Sequence, residues 1–247
     1  HFYPENWGIL PYINLFGLKI PSYSLFILLA LIVGIIIYYF ESKDKKQLNE
    51  NSLYIALAAI IGGTLGAKIP IWIINYKEII QSFPDIGPLL SGRTIVGGLI
   101  GGAIGVVLIK KILKLKERKG NLFAPAIALG VAIGRIGCFL RGCCYGKHTI
   151  LPWGVNFGDE ILRHPTQIYE SIFMIIMFII LQKKKKNAKP GELFKLLMIS
   201  YFTFRFFIEF IRTETVVFWG LTGFQLVSII VLLYLSRNNI KGLINRR

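Results

Sequence analysis

An all-α, polytopic membrane protein with seven transmembrane helices is the fold this sequence predicts, and three observations predict it. Of its 247 residues, 54% are hydrophobic and only 17% charged, with a mean hydropathy of +0.58, which is not the balance of a water-soluble domain. Apolar stretches long enough to cross about 30 Å of hydrocarbon, roughly 17 to 25 residues each, recur along the chain. The segments between them alternate between strongly basic and lysine-poor.

The first stretch, residues 22–40, is continuously aliphatic and aromatic and stops at the charged "ESKDKKQ" of 41–47. The second, 53–75, carries Gly62 and Gly66 and a lone Lys68. The third, 95–113, repeats that spacing in Gly97 and Gly101, Gly98 and Gly102, and Gly101 and Gly105. Small residues four apart let helix backbones approach closely where lipid supplies no hydrophobic drive. The fourth, 122–144, runs into "GRIGCFLRGCCYGKHT" at 134–149, and the fifth, 166–182, follows Pro165, a residue suited to a first helical turn. The sixth, 193–212, contains "YFTFRFFIEFIR" at 201–212, and the seventh covers 222–236.

Charge orients this series. The basic segments "ESKDKKQ", "KKILKLKERKG", "KKKKNAKPG" and the tail "RNNIKGLINRR" alternate with 76–94, 145–165 and 213–221, which are mixed and poor in lysine. The positive-inside rule places the basic loops and the C-terminus in the cytoplasm and the N-terminus outside. The net charge of +16 then sets topology and favours an anionic inner leaflet, so no nucleic-acid partner is expected. Residues 1–247 read as one integral membrane domain with no soluble domain of any size. Pro4, Glu5 and Pro11 argue against a cleavable signal peptide in the first 20 residues.

Polar residues at membrane depth carry the functional reading. Lys68, Arg135, Arg205 and Glu209 fall within expected spans, where each costs at least roughly 2.5 kcal/mol on insertion scales. Arg205, Glu209 and Arg212 are spaced i, i+4 and i+7, which places them on one face of a helix. A structural Arg205–Glu209 pair is one reading. The net positive balance suits a phosphate better, since the planar guanidinium donates in a fork. Arg135 shares a face with Cys138 and Gly142, where there is room for a bulky anionic group, whereas Arg141 reads as snorkelling to the outer interface. Gly97 and Gly98 open a helix beside Arg93, where free backbone N–H groups could meet an anion. In "GDEILRHPTQIYE", 158–170, Gln167, Tyr169 and Glu170 bring more hydrogen-bonding groups into the fifth span than a lipid-facing helix tolerates. His164 at its mouth is a candidate for proton transfer or substrate orientation. On this topology the candidates converge in the outer half of the bundle, as an enzyme handling an anionic phospholipid requires. A transporter or flippase for anionic lipid would want the same cations, but would be marked by inverted repeats, and none is evident in the sequence.

These residues resemble those of a known family, the phosphatidylglycerol to prolipoprotein diacylglyceryl transferases. The resemblance rests on "PSYSLF" at 21–26, "GAKI" at 66–69, "GGLIGG" at 97–102, "GRIGCF" with "GCCYG" at 134–146, "RHPTQIYE" at 163–170 and "RFFIEFIR" at 205–212. It implies transfer of the diacylglyceryl group of phosphatidylglycerol to the thiol of a preprolipoprotein lipobox cysteine, with release of glycerol phosphate, at the outer leaflet of the bacterial cytoplasmic membrane. It further implies that Arg135 and Arg205 are the essential arginines, with Glu209 and Arg212 as their helix partners. Tyr23 would be a pocket residue, Gly146 the end of the signature, and Gly97, Gly98, Cys138, Cys143, Gln167 and Glu170 would lie along the substrates. No metal or organic cofactor is expected. The chain departs from the family pattern at Val96, where a histidine or tyrosine is usual, at Cys138, usually asparagine, and at Cys143, usually acidic. These departures raise the alternative of the same lipid donor with a different acceptor, and leave His164 or the arginine field to assist the thiol.

For Cys138, Cys143 and Cys144, four readings are open: burial as small soft hydrophobes, a reactive thiol beside an arginine, a disulfide facing the oxidising outside, or a Cys3His site with His148. The C-x4-C-C spacing is not a usual zinc pattern. A helix continuing through 144 would separate Cys138 from its neighbours by about 7 to 9 Å of rise.

Overall fold

The computed structural model describes residues 7–15, 17–44, 49–83, 85–90, 92–116 and 119–244. In chain order the elements are β1 (Tyr12–Leu15), β2 (Leu18–Pro21), α1 (Ser22–Asp44), α2 (Glu50–Ile74), α3 (Tyr76–Gln81), α4 (Gly87–Leu90), α5 (Ile95–Ile112) and α6 (Gly120–Arg141). They continue with β3 (Val155–Asn156), β4 (Leu162–Arg163), α7 (Thr166–Lys184), α8 (Glu192–Ile208), a 3-10 turn (Glu209–Ile211), β5 (Val216–Phe218), β6 (Leu221–Thr222) and α9 (Gly223–Ile244). The strands form three antiparallel hairpins, β1–β2, β3–β4 and β5–β6. Among the described residues, α1, α2, α5, α6 and α7 are long and apolar enough to cross a membrane. Helix α8 has 17 residues, and the apolar part of α9, Gly223–Arg237, is also shorter.

The chain divides into two compact units, residues 42–118 and residues 1–41 with 119–247. In the first, α2 starts at a reciprocal cap in which Asn49 Oδ1 accepts from Ser52 N at 2.9 Å and Ser52 Oγ from Asn49 N at 3.2 Å. Thr94 caps α5 through Gly97 N, at 3.2 Å. The two helices then meet almost backbone to backbone. A Cβ on Gly62 would stand 2.5 Å from Gly101 O, and one on Gly101 would stand 2.7 Å from Gly66 Cα. Both distances are well inside van der Waals contact, so this crossing requires glycine on both faces.

In the second unit, α6 packs against α7 and α8, and α8 against α9. Helix α1 crosses α6 over Gly130, Gly134 and Gly137, and a Cβ on Gly137 would meet Phe26 Cβ at 2.6 Å and Tyr23 Cα at 3.5 Å. Helix α6 ends at Arg141, because Gly142 turns into the left-handed region at φ 72°. Gly142 N and Cys143 N close back on Phe139 O and Cys138 O, each at 3.0 Å. The expected continuation to 144 is therefore corrected. The expected helix over 193–212 is corrected too: it breaks after Ile208 into the 3-10 turn and leaves Arg212 extended. The cause lies in a neighbouring loop, where Lys147 N takes Ile211 O at 2.7 Å and Gly146 bridges Arg212. Those contacts serve the terminal backbone groups that another helical turn would have used.

Candidate functional site

Chain direction sets the site. The C-terminal ends of α6 and α8 and the N-terminal end of α7 come together, and the lysines Lys183 and Lys184 lie at the far end of α7. Arg135 on α6, Glu170 on α7 and Arg205 on α8 meet there, with 5%, 1% and 3% of their surface exposed.

The charges alternate along a chain of contacts. Arg135 Nη2 stands 2.7 Å from Glu170 Oε2, and Arg205 Nη1 stands 3.8 Å from the same oxygen. Arg205 Nη2 lies 2.9 Å from Glu209 Oε2, and Arg212 Nε lies 3.8 Å from it. Arg212 then reaches Glu214 Oε1 at 2.8 Å. Tyr201 donates its hydroxyl to Glu170 Oε1 at 3.1 Å, and the Arg205 guanidinium sits 4.8 Å from the centre of the Phe224 ring. Removed from water, such charges are tolerated only when paired. The hydrogen bonding is incomplete: among the described residues, Arg135 Nε, Arg205 Nε, Arg205 Nη1 and Arg212 Nε are buried without a hydrogen-bond partner. Three buried guanidinium groups against two buried carboxylates leave a net positive, donor-rich cluster suited to an anion.

The loops on this side are laced to the helix ends. Gly146 N donates to His164 O at 2.9 Å, and His164 N to Lys147 O at 3.1 Å. A Cβ on Gly146 would stand 2.6 Å from Ile211 O and 2.8 Å from His164 Cβ, so this position has no room for a side chain. Gln167 Nε2 donates to Cys143 O at 2.6 Å, Thr166 Oγ1 to Cys144 O at 2.8 Å, and Arg212 Nη1 to the same carbonyl at 2.9 Å. His164 Nδ1 faces Tyr169 Oη at 3.3 Å, and that hydroxyl accepts from Trp153 Nε1 at 2.7 Å.

Of the residues singled out in the sequence, Arg135, Glu170, Arg205, Glu209 and Arg212 form one charge cluster. Gln167, Cys138, Cys143, Gly146 and His164 belong to the lacing around it. Tyr23 is half-buried on the first turn of α1, which packs across Gly137. Gly97 and Gly98 belong to the other unit, in the α2–α5 crossing beside Gly66 and Gly63. Arg141 Nη1 donates to Trp7 O at 3.2 Å. The three cysteines are free thiols, and their sulfur atoms all lie within 4.8 Å of one another. The separation expected of a continued helix is thereby corrected: the left-handed turn at Gly142 folds Cys143 and Cys144 back over Cys138. His148 does not join that group.

Residues 11–236 match the family model described as prolipoprotein diacylglyceryl transferase. The chain belongs to this family. It is 41% identical to the phosphatidylglycerol--prolipoprotein diacylglyceryl transferase of Clostridium tetani, over 81% of this chain and 84% of that protein. The corresponding transferase 2 of Clostridium perfringens is 34% identical, over 93% and 95% of the two chains, and the Finegoldia magna transferase 33%, over 89% and 90%.

Within this family member, the sequence reading does not single out Tyr201, and it names Glu170 without its ionic partners. Tyr201 stands four residues before Arg205 and so continues the charged face of α8, a signal available in the spacing. Glu170 is legible as a polar residue entering α7, but its position between Arg135 and Arg205 is a tertiary contact that no local pattern carries.

Proposed function

We propose that this chain moves the diacylglyceryl group of phosphatidylglycerol onto the lipobox cysteine thiol of a prolipoprotein, releasing glycerol phosphate. Seven spans carry it in the cytoplasmic membrane, N-terminus outside, with the lysine-rich helix ends inside and the arginine cluster toward the outer leaflet. The observation behind this reading is the set of buried guanidinium donors on Arg135, Arg205 and Arg212 that have no hydrogen-bond partner among the described residues. A phosphate diester supplies the acceptors those donors lack.

The reaction uses that charge directly. The thiol sulfur attacks the glyceryl carbon bonded to the phosphate oxygen, so a C–S bond forms as the C–O bond breaks, and the electron pair leaves on glycerol phosphate. Arg135 and Arg205 face the growing negative charge and stabilise it more in the transition state than in the ground state. Glu170 and Glu209 hold the two guanidinium groups in place. His164, whose Nδ1 faces Tyr169 Oη at 3.3 Å, takes the thiol proton. The preprolipoprotein signal peptide and phosphatidylglycerol are the two partners, and the residues assigned here call for no cofactor.

The purified protein is incubated with labelled phosphatidylglycerol and a lipobox peptide, and glycerol phosphate release and peptide mass are followed together. Arg135→Ala and Arg205→Ala each reduce both signals by a factor of 100 or more, about 2.7 kcal/mol of transition-state stabilisation. Near-normal activity in both variants would refute the arginine assignment. Release without peptide modification would point to another acceptor, a reading that Cys138 and Cys143 at the diverged signature positions favour.

A further inference from the structure

The lipid chemistry leaves one cluster unused. Cys138, on the last turn of α6, and Cys143 and Cys144, just beyond the left-handed turn at Gly142, bring three sulfur atoms within 4.8 Å of one another. Two independent constraints hold them there. Cys143 and Cys144 have their carbonyls fixed by Gln167, Thr166 and Arg212, and Cys143 Sγ donates to Cys138 O at 3.6 Å. Cys144 itself is held at φ 63°, a left-handed conformation uncommon for a residue with a side chain.

From this juxtaposition we propose that Cys138, Cys143 and Cys144 form a three-thiolate site for a soft monovalent metal ion, copper(I). Three sulfurs around one ion with bonds of about 2.3 Å stand about 4 Å apart in a trigonal plane. The thiols therefore need only small side-chain rotations to close on an ion. The donor set decides which ion. Among the described residues the converging group is three thiols, with no imidazole or carboxylate. Zinc prefers four ligands in a tetrahedron, while copper(I) accepts a soft, low-coordinate sulfur set. Charge also agrees. Arg135 lies close enough to Cys138 and Cys144 to act on them electrostatically, as Arg212 does on Cys144. Three thiolates with one copper(I) carry a charge of −2, which two guanidinium groups offset. Binding forms three Cu–S bonds and releases three thiol protons to solvent, and no electron is transferred. Cys138 is buried, whereas Cys143 and Cys144 are only partly covered, which leaves an entry side. The sulfur ligands take no part in the lipid chemistry assigned to the arginines, although Arg135 and Arg212 border both sites.

The test uses the full-length, reduced protein in detergent under anaerobic conditions, titrated with copper(I) as its acetonitrile complex against a chromogenic copper(I) chelator. One copper(I) per chain is retained, X-ray absorption shows three sulfur neighbours, and bound copper protects all three thiols from iodoacetamide by mass. Cys144→Ser lowers copper retention at least tenfold. Complete transfer of copper to the chelator, two-sulfur coordination, or zinc held in preference to copper(I) would each overturn the proposal. If the serine variant fails to fold, the alkylation count on the unaltered protein decides alone: three alkylated thiols in the presence of copper refute the site.

Discussion

The two units solve the same problem, holding helices together without a hydrophobic drive, in opposite ways. In the 42–118 unit, α2 and α5 meet through Gly62, Gly66, Gly97, Gly101 and Gly105, and the contact is backbone against backbone. In the unit holding residues 119–247, α6, α7 and α8 bury apolar side chains such as Leu122, Met174 and Leu197 and add to them a charge contact among Arg135, Glu170 and Arg205. Glycine packing is cheap and chemically silent. A buried ion cluster contributes little net stability, because desolvation offsets most of the attraction. Stability alone therefore does not account for the cluster in α6–α8, which agrees with the function proposed for it.

The largest test of that contrast is Glu170→Gln. The substitution keeps a partner for Tyr201 but removes the carboxylate lying between Arg135 and Arg205, leaving two buried cations facing each other. Breaking a buried pair by losing one partner costs about 3–5 kcal/mol. The variant should lose diacylglyceryl transfer and melt well below the parent in detergent. Unchanged melting and transfer would show that the arginines find other counter-charges. Next comes Gly101→Ala, whose new Cβ would stand 2.7 Å from Gly66 Cα. The helices must separate, and overpacking of this kind costs about 1–3 kcal/mol. Limited proteolysis should show faster cleavage in the 42–118 unit, and an unchanged pattern would mean that the crossing tolerates a methyl group.

The same contrast explains what the sequence disclosed. Hydropathy located α1, α2, α5, α6 and α7, because a span is a one-dimensional property of composition. Glycine spacing disclosed that α2 and α5 pack closely, but not that they pack on each other. The Arg205–Glu209 pair was legible because four residues is one helical turn. What escaped was set by distant chain. The break in α8 at Ile208 depends on Lys147 and Gly146, and the pairing of Glu170 with Arg135 depends on two helices joined by a long loop. The convergence of the cysteines hinged on one backbone angle, φ at Gly142. Its glycine is visible in the sequence, but the direction of the turn is not.

Smaller effects separate the two packing modes most cleanly, because they leave both folds intact. Tyr201→Phe removes the hydroxyl that donates to Glu170 Oε1 at 3.1 Å while keeping the ring in its fully buried place. A buried hydrogen bond to a charged group is worth about 1.5–3 kcal/mol. Glu170 keeps its contact with Arg135, so the loss should fall at the low end of that range and transfer should drop severalfold. Thr64→Val is the matching change in α2. Its hydroxyl donates to Ile60 O at 2.8 Å within its own helix, and that carbonyl already serves the helical ladder. Among the described residues the Thr64 hydroxyl has no hydrogen bond outside α2, so melting temperature and transfer should both match the parent. If Thr64→Val were as damaging as Tyr201→Phe, polar side chains would matter equally in both units, and the division between a packed unit and a charged one would fail. If both were silent, Glu170 would be held by Arg135 and Arg205 alone, and Tyr201 would not belong to the charge cluster.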